Sequence, residues 1–271
     1  MMNKAEQFNT LFATKRIMIQ SSRAVVIKTI EYGESSKIVT MLTEEHGKIA
    51  FIARGARKSK SAYAAKLQVG QMLDLVYYYK PTRSVQNLKE VSYWNRLENI
   101  YQDFEKWGVI IAVCEMVDQL VQEGEVNGEM FSFITALLPW FEEAEVEPKK
   151  VFPYIQVRLA DMNGIGIQWM APVKQVQNQE EAGNSPNTSL YLNVTEGAVT
   201  EAATDKRSLH LTENKQLYLY LAIHSRNPAM FTINFSNEEL NSLIHDLDQY
   251  LGYHIEDLKP RRSDSIFQQF L

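Results

Sequence analysis

The spacing of apolar residues changes once along the chain, and this change determines the fold class. Between residues 22 and 96, apolar and polar residues alternate in short runs, which is the pattern of half-buried strands. Beyond residue 97, apolar residues recur every three or four positions, which is the pattern of amphipathic helices. We therefore predict an α+β protein in which a small β domain precedes an α-helical domain.

The first part contains five strand-like runs separated by turn residues. Gly33 and Gly47 mark two of the turns, and the longest interruption separates the third run from the fourth. Five short strands with this spacing fit a five-stranded Greek-key barrel of the OB type better than an open sheet. The predicted strands cover residues 23–30, 37–42, 48–53, 72–79 and 88–94.

The second part contains helical patterns with recognisable N-termini. Asn127 and Thr212 are predicted N-caps, and Ser236 followed by Glu239 has the spacing of a capping box. A polar stretch and one short strand-like run at 190–194 interrupt the helices. The predicted segments are an N-terminal extension at 1–21, the OB domain at 22–96, the helical domain at 97–258 with an irregular insertion at about 165–210, and a C-terminal tail at 259–271.

The net charge of the whole chain, −5, hides a separation of sign between the two parts. Residues 22–96 contain 13 Lys and Arg against 6 Asp and Glu, a net charge of +7, whereas residues 97–271 contain 12 against 26. A locally basic domain attracts polyanions even when the protein is acidic overall. The first part is therefore predicted to bind nucleic acid.

The strongest local signal is the segment 54–61, which we call the basic loop. It follows the third predicted strand and carries four positive charges in eight residues. Such cations contact phosphates, although a solvated loop is the alternative interpretation. Aromatic candidates for base stacking are Phe51, Tyr63 and residues 77–79. The candidate nucleic-acid-binding cations are Arg54, Arg57, Lys58, Lys60, Lys66, Lys37 and Lys48.

The sequence lacks the motifs of common catalytic sites. It has no P-loop, no nucleophile elbow and no histidine pair at metal-binding spacing, so we expect no enzyme, no cofactor and no bound metal. The single cysteine, Cys114, excludes a disulfide and a cysteine-based zinc site and suggests a reducing cytosol. Because no run of about 18 apolar residues exists, we expect a cytoplasmic protein without a membrane partner.

Several short motifs occur together in a specific order. They are AVVIK at 24–28, YGESSKIV at 32–39, LT at 42–43 with GK at 47–48, and RGARKSKS at 54–61. In this order they resemble the start of the RecO family of bacterial recombination mediators. The resemblance covers residues 18–96 well and continues loosely to about residue 258. It implies an OB barrel followed by a helical domain, without enzymatic turnover.

The resemblance also implies a function and partners. Family members act in DNA repair and homologous recombination through the RecF pathway, at a nucleoid-associated location. They bind single- and double-stranded DNA, anneal complementary strands, contact the C-terminal tail of the single-strand DNA-binding protein, and work with RecR to load the RecA recombinase. The resemblance adds Arg23 and Lys28 to the candidate DNA contacts. The partner tail should need an apolar pocket with a nearby cation, for which Arg158 and Lys215 are candidates.

Two features depart from the family pattern, and two other functions stay open. Many relatives hold a zinc-binding cysteine cluster at about 165–205, where this chain has no cysteine, so packing must replace any stabilisation by zinc. Val69 and Gly70 stand where a proline and a larger apolar residue are expected, which leaves the path into the fourth strand open. One alternative is an RNA-binding OB protein, because neither the barrel pattern nor the cations indicate whether the ligand carries a 2′-hydroxyl. The other alternative is a helical protein-docking scaffold.

Overall fold

The computed structural model describes residues 18–61, 63–172, 189–225 and 228–263. By its internal contacts the chain divides into two compact units, Met1–Ala144 and Glu145–Leu271. The predicted domain boundary after residue 96 stays a prediction, and residues 1–17 of the predicted extension lie outside the described residues. Within the described ranges, no helix is long and apolar enough to cross a membrane.

Five strands of the first unit form a closed barrel. The order around the barrel is β1-β2-β3-β5-β4, and β1 also pairs with β4. Neighbouring strands are antiparallel except for the parallel β3–β5 pair. This closed ring confirms the predicted OB-type barrel and, with the helices that follow, the α+β class. The strands are β1 Met18–Tyr32, β2 Ser36–Thr43, β3 Gly47–Ala53, β4 Met72–Tyr79 and β5 Val85–Asn95.

The first strand is longer than predicted because each of its halves has a different partner. Residues 18–25 pair with β4, residues 24–32 pair with β2, and a bulge lies between Val26 and Lys28. The prediction that residues 18–21 belong to the N-terminal extension is therefore wrong, since they close the barrel on β4. The polar run 20–22 hides this part of the strand from a hydrophobicity pattern.

The core of the barrel consists of the inward-facing strand residues and two residues from the connection between β3 and β4, Ala56 and Leu67. Tyr77 is among the largest fully buried side chains, and its hydroxyl lies 2.9 Å from Nδ1 of His46. Burial, with smaller effects from Glu45 and Tyr79, raises the pKa of Tyr77 to about 12.

Three helices complete the first unit: α1 Asn99–Gln102, α2 Phe104–Leu120 and α3 Gly128–Glu143. The predicted cap is confirmed, since the Asn127 side chain accepts a hydrogen bond from the Met130 N–H at 2.9 Å. The buried Glu142 carboxylate on α3 accepts bonds from three successive backbone N–H groups at residues 98–100, at 2.7, 2.7 and 3.0 Å. These bonds hold the start of α1 against α3.

Gly70 determines the chain path into β4, which the sequence leaves open. Its φ is +90°, and a Cβ there would lie 2.7 Å from Cγ2 of Ile110 on α2. The Gly70 N–H donates to the Val26 carbonyl at 2.8 Å, and the Tyr101 hydroxyl donates to the Val69 carbonyl at 2.7 Å. Glycine is required here because the connection turns in the left-handed region directly against a helix.

The second unit contains α4 Pro148–Met162, α5 Glu213–His224, a 3₁₀ helix Pro228–Thr232 and α6 Asn237–His254. The predicted caps are confirmed, because Thr212 and Ser236 accept bonds from N–H groups in the first turns of α5 and α6. The Glu239 carboxylate instead accepts bonds from the side chains of Thr212 and Asn214, so it ties the starts of α5 and α6 together.

A small four-stranded sheet occupies part of the predicted irregular insertion. Its order is β6-β8-β7-β9, with β6 parallel to β8 and the other pairs antiparallel. The sequence predicts only one of these strands, β7, while residues 173–188 lie outside the described part. The strands are β6 Gln168–Trp169, β7 Leu190–Asn193, β8 Ala198–Thr200 and β9 Ser208–Leu211.

Candidate nucleic-acid interface

The basic loop leaves the barrel directly after β3 and folds into successive turns. Gly55 adopts a φ of +71°, and the Lys58 N–H donates to the Gly55 carbonyl at 3.1 Å. The Ser61 N–H then donates to the Lys58 carbonyl at 2.9 Å. The loop therefore has a defined backbone path.

Arg57 attaches this loop to the turn between β1 and β2. Its N–H donates to the Ser35 carbonyl at 3.0 Å, and its guanidinium donates to the Gly33 carbonyl at 2.9 Å. The guanidinium also forms an ion pair with Glu31 at 2.9 Å. These contacts hold the basic loop against the β1–β2 turn.

The remaining cations of the basic loop are exposed. Arg54, Lys58 and Lys60 form no side-chain hydrogen bond or ion pair with any residue that the structure describes. The half-buried Lys37 on β2 lies in register with Ala53, the last residue of β3. These four positive charges therefore gather at one end of the barrel, and their contact with nucleic acid stays a prediction.

Two other predicted cations contact a single residue of α2, Asp118. Lys28 forms an ion pair with Asp118 at 2.7 Å. Lys48, only 9% exposed, donates to the Asp118 carbonyl at 2.5 Å and lies 3.5 Å from its carboxylate. Lys48 is therefore buried against α2, whereas the Lys28 side chain keeps half of its surface exposed beside Asp118.

Arg23 and Lys66 border a different surface, a groove of about 550 Å³ on the barrel. The Arg23 guanidinium lies 4.5 Å from the ring centroid of Trp94, and the Lys66 ammonium donates to the Val91 carbonyl at 3.1 Å. The groove is lined by cations and carboxylates together, which suits a phosphate backbone less well than the basic loop does. Its carboxylates are those of Glu44, Glu45, Asp74 and Glu90.

Most of the aromatic candidates face the barrel core. Phe51 and Tyr77 are fully buried, and Tyr63 packs against the core while its hydroxyl donates to the Lys89 carbonyl at 2.8 Å. Tyr79 also packs against the core. Tyr78 is the half-buried member of the run 77–79 that points to the outer face, because side chains alternate along a strand.

The sequence argument missed Lys80 and Arg83, which lie in the loop between β4 and β5. The buried Gln86 side chain accepts a bond from the Lys80 N–H at 2.9 Å and donates to the Arg83 carbonyl at 2.7 Å. The corresponding loop of OB barrels is one of those that bind oligonucleotides. The signal in the sequence was two cations flanking a proline turn directly after a strand.

The two candidate cations for the partner tail form ion pairs within the second unit. Arg158 contacts Asp161 at 2.5 Å, one turn further along α4. Lys215 is buried and contacts Asp246 at 2.6 Å, with Ser242 at 2.8 Å. Burial raises the pKa of the Asp246 carboxyl, although the Lys215 charge acts in the opposite direction.

The small sheet is tied together by hydrogen bonds where a zinc site would be expected. The Asn193 amide donates to the Thr200 hydroxyl at 2.8 Å and to the Ala202 carbonyl at 3.0 Å, and its oxygen accepts from the Thr204 N–H at 3.2 Å. The described residues contain no cluster of His, Cys, Asp and Glu that could hold a metal, and the chain has no cysteine in this region. These residues therefore do not fit a zinc ion.

Known proteins resemble this chain over nearly its whole length. A family model described as Recombination protein O N terminal matches residues 18–95, and one described as Recombination protein O C terminal matches residues 101–264. A protein named DNA repair protein RecO from Salinibacter ruber is 28% identical over 256 residues, which cover 93% of this chain and 94% of that protein. The protein of the same name from Chloroherpeton thalassium is 26% identical over 258 residues, 94% of this chain and 100% of that protein.

These comparisons agree with the family that the sequence motifs resemble. The matched family consists of non-enzymatic mediators of recombination and DNA repair, which confirms the expectation drawn from the missing catalytic motifs. Because the two family models together span the barrel and the helical region that follows it, the chain belongs to the RecO family of DNA repair proteins.

Proposed function

We propose that this protein binds single- and double-stranded DNA through the basic end of its barrel and anneals complementary strands. The observation that carries the proposal is the exposure of Arg54, Lys58 and Lys60 on a loop that Arg57 fixes to the β1–β2 turn. A positioned set of free cations binds a phosphate backbone and releases its counterions.

This arrangement supports binding that is independent of base sequence. The basic loop offers ammonium and guanidinium groups, which contact phosphates without reading base edges. Neutralising the phosphates of two strands also lowers the repulsion between them. Strand annealing therefore follows from the same cations that bind each strand.

The proposal includes partners and a place in the cell. We propose that the protein acts in the cytoplasm with RecR, in the RecF pathway, to help load the recombinase onto strands covered by the single-strand DNA-binding protein. Membership of the RecO family supports these partners. Arg158 or Lys215 would have to exchange its internal carboxylate for that of the partner's C-terminal tail, so either residue would act only with a local rearrangement.

Annealing of complementary oligonucleotides, measured with and without the cognate single-strand-binding protein, tests the proposal. We expect faster annealing of both naked and protein-covered strands, and affinity that falls steeply as salt rises. The absence of DNA binding at low salt would contradict the proposal. Tighter binding of RNA than of DNA of equal length would favour an RNA-binding protein. Binding of the partner's tail peptide without binding of DNA would favour a docking scaffold.

A further inference from the structure

A cavity of about 270 Å³ opens at the end of the barrel opposite the basic loop, and we call it the end cavity. The basic loop follows the last residue of β3, whereas the end cavity lies at the first residues of β3. Its walls are the β2–β3 turn, the β4–β5 loop at 80–84 and the segment 123–126 that follows α2. Small-molecule sites begin at about 300 Å³, so the end cavity suits a few side chains.

The walls of the end cavity are held in place by hydrogen bonds and ring contacts. The Gly124 N–H donates to the Lys48 carbonyl at 2.9 Å, which fixes the segment after α2 to the start of β3. The Gln86 side chain forms three bonds with backbone groups of the β4–β5 loop, at 2.9, 3.1 and 2.7 Å. The rings of Tyr79 and His46 lie 4.5 Å apart between their centroids. The cavity is therefore preformed.

Part of the lining is apolar and open to solvent. Val126 is 56% exposed, Pro81 is exposed, and Tyr79 and Ala50 are half-buried. Apolar surface that stays exposed around a preformed cavity indicates a place where another apolar group packs.

The N-terminal segment of the same chain supplies such groups. Residues 1–17 lie outside the described residues, and the match to the N-terminal family model begins only at residue 18. Phe8, Leu11 and Phe12 are large apolar residues at positions i, i+3 and i+4, which share one face of a helix. A segment with this pattern requires an apolar surface on which to pack.

The segment joins the described chain at the edge of the end cavity. Met18, the first residue of β1, lies opposite Tyr79 of the cavity lining, and residues directly opposite each other share a face of the sheet. Met18 is also 41% exposed. A short tether of this kind gives an effective concentration of about 1 mM or more. A site with a dissociation constant of about 0.1 mM would then be about 90% occupied.

The charges around the cavity suit this segment. Lys48 is already bonded to Asp118, so the exposed charged residues of the lining are two carboxylates and one cation. The segment carries three cations against one carboxylate, the opposite excess. The lining charges are Glu45, Glu123 and Arg83, and the segment charges are Lys4, Lys15, Arg16 and Glu6.

We propose that the end cavity is the docking site of this chain's own residues 1–17, with Phe8, Leu11 and Phe12 packed on its apolar lining. This inference goes beyond the proposed function and does not depend on DNA binding. The docked segment covers the β4–β5 loop with Lys80 and Arg83 and leaves the basic loop, at the other end of the barrel, open to its ligand.

Hydrogen exchange measured by mass spectrometry tests the proposal on full-length proteins. One variant combines Phe8→Ser, Leu11→Ser and Phe12→Ser, which keeps the tether and removes the apolar face. A second variant, Val126→Glu, places a charge on the exposed wall of the cavity. The matched control is Ile30→Glu, which changes a 49% exposed residue near the β1–β2 turn. Thermal melting checks that all four proteins are folded.

We expect peptides covering 80–84 and 123–126 to exchange about tenfold more slowly in the parent than in the triple variant, because about 90% occupancy leaves the walls open one tenth of the time. The basic loop should exchange equally in both proteins. Val126→Glu should behave like the triple variant, and Ile30→Glu like the parent.

Equal exchange at the cavity walls in the parent and the triple variant would overturn the inference. Protection that the triple variant loses but Val126→Glu keeps would overturn the end cavity as the docking site. Protection that disappears when the parent is diluted tenfold would overturn docking within one chain and indicate the segment of a second copy. These outcomes leave the proposed function standing, because DNA annealing is measured separately.

Discussion

Removing the free cations of the basic loop should weaken DNA binding by an amount set by counterion release. The variant replaces Arg54, Lys58 and Lys60 with alanine and keeps Arg57, whose bonds hold the loop to the β1–β2 turn. The three changed side chains are exposed and have no described partner, so the fold should not respond. Any change in DNA affinity then reports on phosphate contact.

The size of the effect follows from the number of contacts. If each cation neutralises one phosphate of single-stranded DNA, the plot of log K against log salt loses about 0.7 of slope per contact, or about 2 for three. At about 0.1 M monovalent salt this corresponds to about fivefold per contact and about 100-fold in total. For a duplex the slope per contact is about 0.9, so the loss should be somewhat larger.

Fluorescence anisotropy of labelled oligonucleotides over a series of salt concentrations measures both quantities. A control variant removes three other exposed cations, Lys89, Arg96 and Lys206, and so has the same net charge. We expect the control to keep most of its affinity and slope. Equal losses in the two variants would show that net charge alone matters, and an unchanged slope in the loop variant would refute the assignment of the basic loop.

Three further predictions concern stability. Gly70→Ala should lower the free energy of unfolding by roughly 2–4 kcal/mol, because φ is +90° and an added Cβ would meet a neighbouring isoleucine at 2.7 Å. Urea denaturation against Gly128→Ala, where a Cβ meets open space, provides the control, and equal midpoints would contradict the steric argument. The pKa of Tyr77 is raised from 10.0 to about 12, so the stability due to its neutral phenol is complete below pH 10 and is lost as pH rises through 12. Tyr77→Phe should therefore lose less stability than the parent between pH 10 and 12, and parallel profiles would count against this reasoning. Lys215→Met should cost roughly 3–5 kcal/mol because it leaves Asp246 buried without its cation, whereas Lys215→Met combined with Asp246→Leu should recover most of that loss in urea denaturation. A double variant as unstable as the single one would refute the pairing argument.

The features that could be predicted from the sequence depend on neighbouring residues. Alternating apolar residues locate the barrel strands, and the short polar residues at 127, 212 and 236 locate helix starts, because both signals lie within a few positions. The exposure of the basic loop is predicted by its high density of charge, which is also a property of residues that are neighbours in the sequence. These signals sufficed for the fold class and for placing the basic loop directly after the third strand.

The features that could not be predicted depend on pairing across the chain. Nothing near Lys28 or Lys48 in the sequence shows that Asp118, 90 and 70 residues away, binds both. The strands β6, β8 and β9 contain two to four residues each, too few for an alternation to be recognised.

The position of Asp118 has a consequence for how DNA affinity could vary among related proteins. Its carboxylate and carbonyl hold two lysines from neighbouring parts of the barrel. A single substitution to a neutral residue would remove one negative charge and free the Lys28 ammonium, whereas the buried Lys48 would keep its bond to the backbone carbonyl at this position. Natural variation at this one helix position would therefore raise the net charge beside the barrel by one unit, without any change in the strands that carry the lysines.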